Sequence, residues 1–471
     1  MKKTSLLILG ILFSIFTFSQ SVVEKIEIFP DPDVPTKELT LNDAVLGYYK
    51  GLYPSGIRGL QWIKGTDNYM YFTEGKYVVA SAKSNKVLYF FDLNFFKKEC
   101  SFVKRVPNIA EINNKYLVFN YENKTIILEY DNDEQKEKIV IETPKGAANK
   151  SFNMKAKAVA YTLDNNLYLA TAKNSKIVIE ENEDKNIVTG QAIHRFEFGI
   201  SKGIFWSPDG KYIAYYQKDE TDVADYPLLN INETPGKVNS IKYPMAGQKS
   251  EYGKVGVYNL KKGNKGFLGL VKRKLKLNTG GEKDDHYLTN VTWGANEEKI
   301  YLAEVNRDQN HMWFNEYNVK SRTKIRTVFE EKQETWMEPE NPGFFPTKDE
   351  NTMLWLSEKD GFMNLYKVNM TNGSWTGLTN FTFPITSFIG ITDEGDFAFV
   401  QATGKDGREK HIYKVAIATG ETTQLTSVGG NHSASFSTTG NYIIDSYSNT
   451  TTPRVIQLVE ANTLKKTILK M

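Results

Sequence analysis

Side chains that could carry catalysis or hold a metal are scattered along this 471-residue chain. The five histidines lack the His-Glu-x-x-His spacing of zinc peptidases, and the single cysteine, Cys100, cannot build a thiolate metal site. The histidines are His194, His286, His311, His411 and His432. The chain contains no Gly-x-Ser-x-Gly pentapeptide, which forms the nucleophile elbow of α/β-hydrolases. We therefore expect no metal, no cofactor and no Ser-Asp-His triad in this chain.

Three short motifs resemble ligand sites but have simpler interpretations. Residues 279–283 (TGGEK) lack the spacing of a phosphate-binding P-loop and precede a predicted strand, so they predict a turn. Residues 131–133 (DND) open like a calcium loop, but the glycine and closing glutamate of that loop are absent. Residues 284–286 (DDH) lie in a turn before a strand, where solvated side chains are the expected outcome.

Short strands separated by turns are predicted along almost the whole chain. They are rich in β-branched and aromatic residues and are bounded by Gly, Asn and Asp. Examples are residues 116–120, 125–129, 159–163, 212–217, 299–305 and 397–401. Helical periodicity is almost absent, and an aromatic content of 13% suits sheets that pack face to face. The sequence therefore predicts an all-β protein.

The predicted strands recur in repeats. An aromatic or hydroxyl residue, a turn and an apolar strand follow one another at residues 206–210, 293–297, 392–395 and 436–440, and the last two turns start about 44 residues apart. A unit of this length is typical of one four-stranded propeller blade, and a single large sandwich would not explain the period. The roughly 420 residues after Gly51 would hold eight or nine such blades.

Two regions interrupt the repeat. Residues 219–250, with Pro227, Pro235 and Pro244, are expected to form a long loop inserted into one blade, and loops of that length are usually functional. Residues 272–276 (KRKLK) look like a basic patch, but their alternation favours an ordinary half-solvated strand.

The first twenty residues have the layout of a secretory signal peptide, with a basic head, an apolar run from Leu6 to Phe18 and small or polar residues after it. That run is shorter than the roughly 20 residues needed to span a bilayer. We therefore expect a signal peptide at 1–20, a lead-in segment at 21–50 and a propeller at 51–471, located in a bacterial periplasm or secreted. With 59 basic and 56 acidic side chains, the net charge of +3 predicts neither a nucleic-acid nor a membrane-surface partner.

Several motifs carry a resemblance to a known family. Residues 194–200 (HRFEFGI), with Lys202-Gly203 and 205–208 (FWSP), resemble the propeller of the dipeptidyl peptidase IV and prolyl tripeptidyl aminopeptidase family. Further matches in the same order cover residues 242–247, 287–291, 304–307, 357–361, 430–432 and 447–454. The resemblance spans roughly residues 150–460.

The resemblance implies an eight-bladed propeller that caps an α/β-hydrolase of serine-peptidase type. In the family, the propeller admits only small peptides and supplies acidic residues that hold the substrate's free amino end. Glu197 matches the amine-binding acid of the tripeptidyl-type motif, and His194 and Arg195 beside it are further candidates for substrate binding. Two alternatives remain open: Glu197 is a loop carboxylate paired with Arg195 or Lys202, and His194 and Arg195 serve only loop backbone groups.

The functional expectation follows from this resemblance and from the missing nucleophile elbow. The chain is expected to be the substrate-gating, peptide-binding propeller of a prolyl di- or tripeptidyl peptidase, inactive alone, with the hydrolase encoded separately or lost. Its expected partners are short peptides with a free amino terminus and a separate hydrolase domain, and it is expected to be a monomer or weak dimer. The alternatives are a non-catalytic periplasmic propeller that binds peptides or a protein, and a structural remnant.

Overall fold

The computed structural model describes residues 38–130, 137–268 and 286–470. The chain divides into two compact units, Met1–Pro54 and Ser55–Met471. The first contains helix α1 (Leu41–Leu46), and no helix among the described residues is long and apolar enough to cross a membrane. The predicted signal peptide at 1–20 lies outside the described residues, as do the motifs at 131–133, 272–276 and 279–283 and the first two residues of 284–286.

The second unit is an eight-bladed β-propeller whose blades are consecutive antiparallel sheets. Blades 1 to 3 consist of β1 (Gln61–Trp62), β2 (Asn68–Thr73), β3 (Lys76–Ser81) and β4 (Val87–Phe91); β5 (Asn108–Ile112), β6 (Tyr116–Tyr121), β7 (Lys124–Glu129) and β8 (Lys138–Glu142); and β9 (Ala148–Asn153), β10 (Ala158–Leu163), β11 (Asn166–Thr171) and β12 (Ile177–Glu180). Helix α2 (Leu93–Glu99) connects blades 1 and 2.

Blade 4 carries extra strands. In chain order the region contains β13 (Ile187–Thr189), β14 (Ile204–Trp206), β15 (Tyr212–Asp219), β16 (Asp225–Asn230), β17 (Lys237–Lys242), β18 (Tyr252–Asn259) and β19 (Asn264–Phe267). Strands β13, β14, β15, β18 and β19 form the blade, whereas β16 and β17 pair only with each other.

Blades 5 to 8 complete the ring. They consist of β20 (His286–Trp293), β21 (Lys299–Asn306), β22 (His311–Asn318) and β23 (Lys324–Lys332); β24 (Thr352–Ser357), β25 (Asn364–Asn369) and β26 (Trp375–Gly377); β27 (Ile385–Ile391), β28 (Phe397–Ala402), β29 (His411–Ala416) and β30 (Thr422–Gln424); and β31 (Asn431–Phe436), β32 (Tyr442–Ser448), β33 (Val455–Glu460) and β34 (Lys466–Lys470). In blade 6 a bridge between Phe344 and Leu354 stands where the first strand would be. The predicted all-β, eight-bladed propeller is confirmed.

The cores lie between neighbouring blades, which explains why inner strands are apolar on both faces. Five consecutive residues of β10, Ala158 to Thr162, are buried because adjacent blades cover both sides of the sheet. Between blades 5 and 6, the rings of Phe314 and Trp355 lie 5.0 Å apart, and Phe329 packs against both. Offset and edge-on aromatic packing of this kind stabilises sheets that face each other.

The antiparallel order fixes which connections share an end of the propeller. Because successive strands reverse direction, the connection into each blade's first strand and the turn between its second and third strands lie at the same end. We call this end the rim. In blade 2, for example, Asn108 pairs with Asn120, so the start of β5 and the end of β6 lie together.

The insertion at 219–250 was predicted as a loop, and that prediction is wrong in part. Residues 225–242 form the β16–β17 hairpin, in which Asp225 pairs with Lys242 and Asn230 with Lys237. Apolar residues on both strands, including Leu229 and Val238, favour strand formation. The loop prediction gave more weight to the prolines than to these residues. Pro227 is tolerated because a two-stranded hairpin leaves one edge of each strand unpaired.

The ring closes by side-chain contacts between blades 1 and 8. Asp67 accepts hydrogen bonds from Asn441 Nδ2 at 2.9 Å and from Thr439 Oγ1, and Thr438 Oγ1 accepts one from Gly65 N at 2.9 Å. Trp62 belongs to the apolar core shared by the two blades.

We expect Asp67→Ala to weaken this closure. The substitution removes two hydrogen bonds to a carboxylate, which corresponds to about 1.5–3 kcal/mol. Urea unfolding followed by tryptophan fluorescence should show a lower midpoint than in the wild type. Glu421→Ala, which removes an exposed carboxylate with no partner among the described residues, is the matched control. Equal midpoints for the two variants would contradict a role for Asp67 in closure.

Candidate functional site

The segment that carries the predicted site residues interrupts the first strand of blade 4. Thr189, the last residue of β13, pairs with Gln217, and Ile204, the first residue of β14, pairs with Tyr215. Residues 190–203 therefore leave the sheet, and the only residue of β15 opposite this whole segment is Tyr216. We call these residues the blade-4 loop.

The two ends of the blade-4 loop are joined through the backbone of Tyr216. Gly190 N donates to Tyr216 O at 2.8 Å, and Tyr216 N donates to Gly203 O at 2.9 Å. A Cβ on Gly203 would lie 2.2 Å from the carbonyl oxygen of Gln191. Glycine is thus required where the two sides of the loop approach each other.

The loop then turns sharply through left-handed backbone. His194, Arg195, Phe196 and Phe198 have φ values of 53°, 56°, 68° and 56°. Such conformations cost roughly 1–3 kcal/mol per non-glycine residue and persist where the surroundings enforce them. They follow one another directly before and after Glu197, so the strain is concentrated at the candidate residue.

Buried side chains hold this turn in place. Phe198 is buried, with its ring 4.9 Å from that of Tyr287 in blade 5. Gly199, with φ of +66°, passes so close to the connection between blades 5 and 6 that a Cβ would lie 2.5 Å from Glu340 O. The loop is therefore anchored on the neighbouring blade as well as on its own.

His194 lies inside the protein. Its Nε2 accepts a hydrogen bond from Leu288 N at 3.0 Å, so Nδ1 carries the proton of the neutral ring. Its backbone N donates to the buried carboxylate of Glu251. Burial, together with nearby positive charges such as Lys218, lowers the pKa of His194 to about 3. The ring is thus neutral and ties the loop to blade 5.

Arg195 is half-buried and fixed to the end of the β16–β17 hairpin. Its Nη2 donates to Lys242 O, and its guanidinium lies 4.5 Å from the ring centroid of Tyr243. Its Nε is buried and has no hydrogen-bond partner among the described residues.

Glu197 differs from His194 and Arg195 because its side chain is exposed. Its backbone is fixed at both ends, with Glu197 N donating to His194 O at 3.0 Å and Ile200 N donating to Glu197 O at 3.1 Å. Within the described part of the chain its carboxylate makes no ion pair, either with Arg195 or with Lys202, which instead lies over the ring of Phe205. A rigid backbone therefore presents an unpaired carboxylate.

Other carboxylates gather beside Glu197. Burial raises the pKa of Glu338, and the negative charges of Glu340, Glu197 and Glu358 raise it further. Glu331 is also affected by burial, which raises its pKa, and its Oε1 accepts a hydrogen bond from Ser357 Oγ at 2.5 Å. Clustered carboxylates of this kind favour a positively charged ligand, which relieves their mutual repulsion.

Three of these carboxylates line a small pocket with an apolar wall. The carboxylates are Glu331, Glu338 and Glu358, and Met337 and Trp355 form part of the wall. We call this the acidic pocket. Sequence reasoning missed it because its residues come from strands β23 and β24 and from the chain after each of them, which meet only in the folded propeller. The run of Glu338, Pro339 and Glu340 directly before a blade was the available signal.

No group of three or more described histidine, cysteine, aspartate or glutamate side chains is arranged to hold a metal ion. The described histidines instead serve as structural hydrogen-bonding groups. His432 Nδ1 contacts buried Asp445 Oδ2 at 2.9 Å, and its Nε2 contacts Val428 O, in the connection that enters blade 8, at 2.8 Å.

We expect His194→Gln to reduce the pH dependence of folding stability. The unfolded pKa is about 6.5 and the folded one about 3, so the contribution of neutral His194 is complete above pH 6.5 and is lost as the pH falls toward 3. Between pH 7.5 and 4.5 this residue should cost the wild type about 2–3 kcal/mol. Urea unfolding at both pH values measures the loss, and His311→Gln, at a histidine paired with Glu330 near the surface, is the control. Equal losses in wild type and His194→Gln would refute the assignment.

Comparison with known proteins agrees with this architecture. Two curated relatives are fungal proteins described as dipeptidyl-aminopeptidase B: one from Neurospora crassa is 24% identical over 333 residues, covering 64% of this chain and 35% of the relative. The other, from Talaromyces marneffei, is 25% identical over 341 residues, covering 65% and 36%. The chain thus spans about a third of the length of these relatives.

Solved structures match over more of the chain. A protein from Bacteroides ovatus described as a dipeptidyl aminopeptidase IV superposes with a TM-score of 0.77 at 28% identity, covering 88% of this chain and 60% of that one. Porphyromonas gingivalis dipeptidyl peptidase 4 gives 0.73 at 20% identity, covering 93% and 62%, a likeness of fold.

The family model described as the dipeptidyl peptidase IV (DPP IV) N-terminal region matches residues 110–454. This match covers most of the chain, including the blade-4 loop and the connections of blades 5 and 6. The chain belongs to the dipeptidyl peptidase IV N-terminal region family.

Proposed function

We propose that this propeller binds the free amino end of short peptides at Glu197 and gates their access to the active site of a prolyl di- or tripeptidyl serine peptidase. The observation that carries the proposal is the carboxylate of Glu197, which is exposed, unpaired within the described chain and held by a rigid loop. The relatives described as dipeptidyl-aminopeptidases support a peptide as the ligand class.

A carboxylate on a fixed loop suits an α-ammonium group. An ammonium is a compact donor of three hydrogen bonds, and charge-assisted bonds are stronger than neutral ones. The backbone of Glu197 is already ordered, so little conformational entropy is lost when the ligand binds. Fixing the amino end at one position would also set how many residues reach a nucleophile beyond it.

The acidic pocket adds to the same preference. Glu197 lies close enough for its charge to raise the pKa of Glu338, so the two carboxylates repel each other in the free protein. An ammonium placed between them relieves that repulsion, whereas an acetylated amino end does not. The pocket therefore favours a free amine over a blocked one.

His194 and Arg195 have supporting parts in this proposal. His194 is buried and hydrogen-bonded, so it positions the loop. The side chain of Arg195 contacts Lys242 O and the ring of Tyr243, and its buried Nε has no hydrogen-bond partner among the described residues. Arg195 thereby ties the blade-4 loop to the end of the hairpin.

The rest of the functional setting is proposed on sequence grounds. The layout of residues 1–20 supports export to the periplasm or medium, and the balanced charge of the chain supports peptides over nucleic acids or membranes as ligands. The propeller is proposed to act as a monomer or weak dimer together with a hydrolase domain. The alternative remains a propeller that binds peptides or a protein without cleaving them.

Binding to Glu197 predicts a specific loss of affinity. Glu197→Gln keeps the size of the side chain but removes its charge, so the affinity for the tripeptide Ala-Pro-Ala should fall by about 10- to 150-fold, the value of one charge-assisted hydrogen bond. Glu338→Gln should cause a smaller loss. Isothermal titration calorimetry at low ionic strength measures both.

Two controls make this result decisive. Glu394→Gln, at an exposed turn on the end of blade 7 opposite the rim, should bind like the wild type. N-acetyl-Ala-Pro-Ala should bind weakly to all four proteins. Tripeptide binding that Glu197→Gln leaves unchanged, or equal affinities for the free and acetylated peptides, would overturn the proposal.

A further inference from the structure

A second charged pocket lies between blades 1 and 2, and it has the opposite sign from the acidic pocket. It has a volume of about 350 Å³ and is lined by Arg58, Arg105, Asn108, Asn120, Tyr121 and Glu122, together with Val106 and Pro107. We call it the arginine pocket. Its volume is within the range of small-molecule sites, and its wall is mainly polar.

Arg58 is held at one side of this pocket without being neutralised. Its carbonyl oxygen accepts a hydrogen bond from Phe72 N at 2.7 Å, which fixes the backbone before β1. Its guanidinium lies 4.2 Å from the ring centroid of Phe72, and Nη2 donates to Asn108 Oδ1 at 3.3 Å. An aromatic face and a neutral amide orient the group and leave its positive charge uncompensated.

Arg105 is on the connection that enters blade 2. This connection is anchored by the buried side chains of Val103 and Pro107 and by a hydrogen bond of 3.0 Å from Lys104 N to Tyr121 Oη. The guanidinium of Arg105 is exposed and makes no hydrogen bond or ion pair with any residue that the structure describes.

The single carboxylate of the pocket does not cancel these charges. Glu122 lies at the turn between β6 and β7, and neither arginine forms an ion pair with it within the described ranges. Two guanidinium groups face one carboxylate, so the pocket carries an excess of positive charge. Guanidinium groups bind carboxylates through two parallel hydrogen bonds, which makes a carboxylate the matching ligand group.

The arginine pocket and Glu197 share the rim of the propeller. Arg58 and Arg105 precede the first strands of blades 1 and 2, and Glu122 lies at a turn between a second and a third strand. All three positions are at the rim by strand direction. In the blade-4 loop, Gly199 packs against the carbonyl oxygen of Glu340. Glu340 lies in the connection that enters blade 6, which is also at the rim.

We propose that the arginine pocket is a carboxylate-binding subsite that holds the C-terminal carboxylate or an acidic side chain of the peptide ligand. The choice of a peptide rests on the proposed function of Glu197, whereas the preference for a carboxylate rests on Arg58 and Arg105 alone. The rim therefore presents acidic groups to an amino end and basic groups to a carboxylate.

The test compares Ala-Pro-Ala as the free acid with its C-terminal amide. In the wild type the acid should bind about 10-fold or more tightly, since one charge-assisted interaction is lost in the amide. Arg58→Gln and Arg105→Gln should each bring the acid-to-amide affinity ratio close to one and leave the affinity for the amide unchanged. Arg58→Lys, which keeps the charge but loses the two-pronged geometry, should give an intermediate ratio.

Lys104→Gln is the matched control. It removes one exposed positive charge next to Arg105, outside the pocket lining, so it should leave the ratio at its wild-type value. A wild-type ratio of one, or a ratio that persists in both arginine variants, would overturn the proposal. A ratio that falls equally in Lys104→Gln would also overturn it, because general attraction would then explain the preference.

The two proposals can fail separately. N-acetyl-Ala-Pro-Ala acid lacks the amine, so ligand-observed NMR of this peptide tests the arginine pocket alone. Binding that is lost in Arg58→Gln and Arg105→Gln would support the carboxylate subsite even if Glu197→Gln had no effect on the free peptide. Amide binding that depends on Glu197, combined with a ratio of one, would leave the amine site standing and remove the carboxylate subsite.

Discussion

The two hydrogen bonds of Tyr216 to Gly190 and Gly203 are the constraint on which the candidate site depends. They fix both ends of the blade-4 loop opposite one residue, so the chain between Gly190 and Gly203 must reverse direction. The left-handed backbone around Glu197 lies within that reversal. Burial of Phe198 contributes about 1.5–3 kcal/mol, which is comparable to the cost of one strained residue, and His194 adds hydrogen bonds to two blades.

Strand direction has an equally general consequence for where charges lie. Because strands alternate, every blade contributes a connection and a turn to the rim, and residues far apart in the sequence share one surface. Glu197, Glu338 and Glu358 belong to blades 4 to 6, whereas Arg58 and Arg105 belong to blades 1 and 2. The net charge of +3 conceals this separation, because the charges balance over the chain and not over the rim.

The sequence predicted the fold well because a propeller is a local structure. Each blade is built from neighbouring strands, so turns about 44 residues apart were sufficient to indicate the architecture. The hairpin at 225–242 was missed because its prolines resemble loop signals, and its pairing compensates for them.

The site was predictable only where it is contiguous. The motif at 194–200 indicated Glu197, but the partners of His194 come from elsewhere in the chain: Leu288 lies in β20 and Glu251 directly precedes β18. Glu338 had only the signal of two acidic residues around Pro339, and the two arginines had none, because the packing of neighbouring blades is what brings separate connections together.

The repulsion between Glu197 and Glu338 explains why a rigid loop is needed at this site. Two like charges on flexible chains would move apart, and the repulsion would be lost before any ligand arrived. Here the backbone of Glu197 is fixed by its own turn, and Gly199 holds the loop against the connection that carries Glu338. The unfavourable energy is therefore retained in the free protein and is released when Glu338 takes up a proton or a positive group binds. Under the proposed function, the strained blade-4 loop thus contributes to selectivity. It keeps the carboxylates of Glu197 and Glu338 close together, and a neutral ligand does not relieve the repulsion between them.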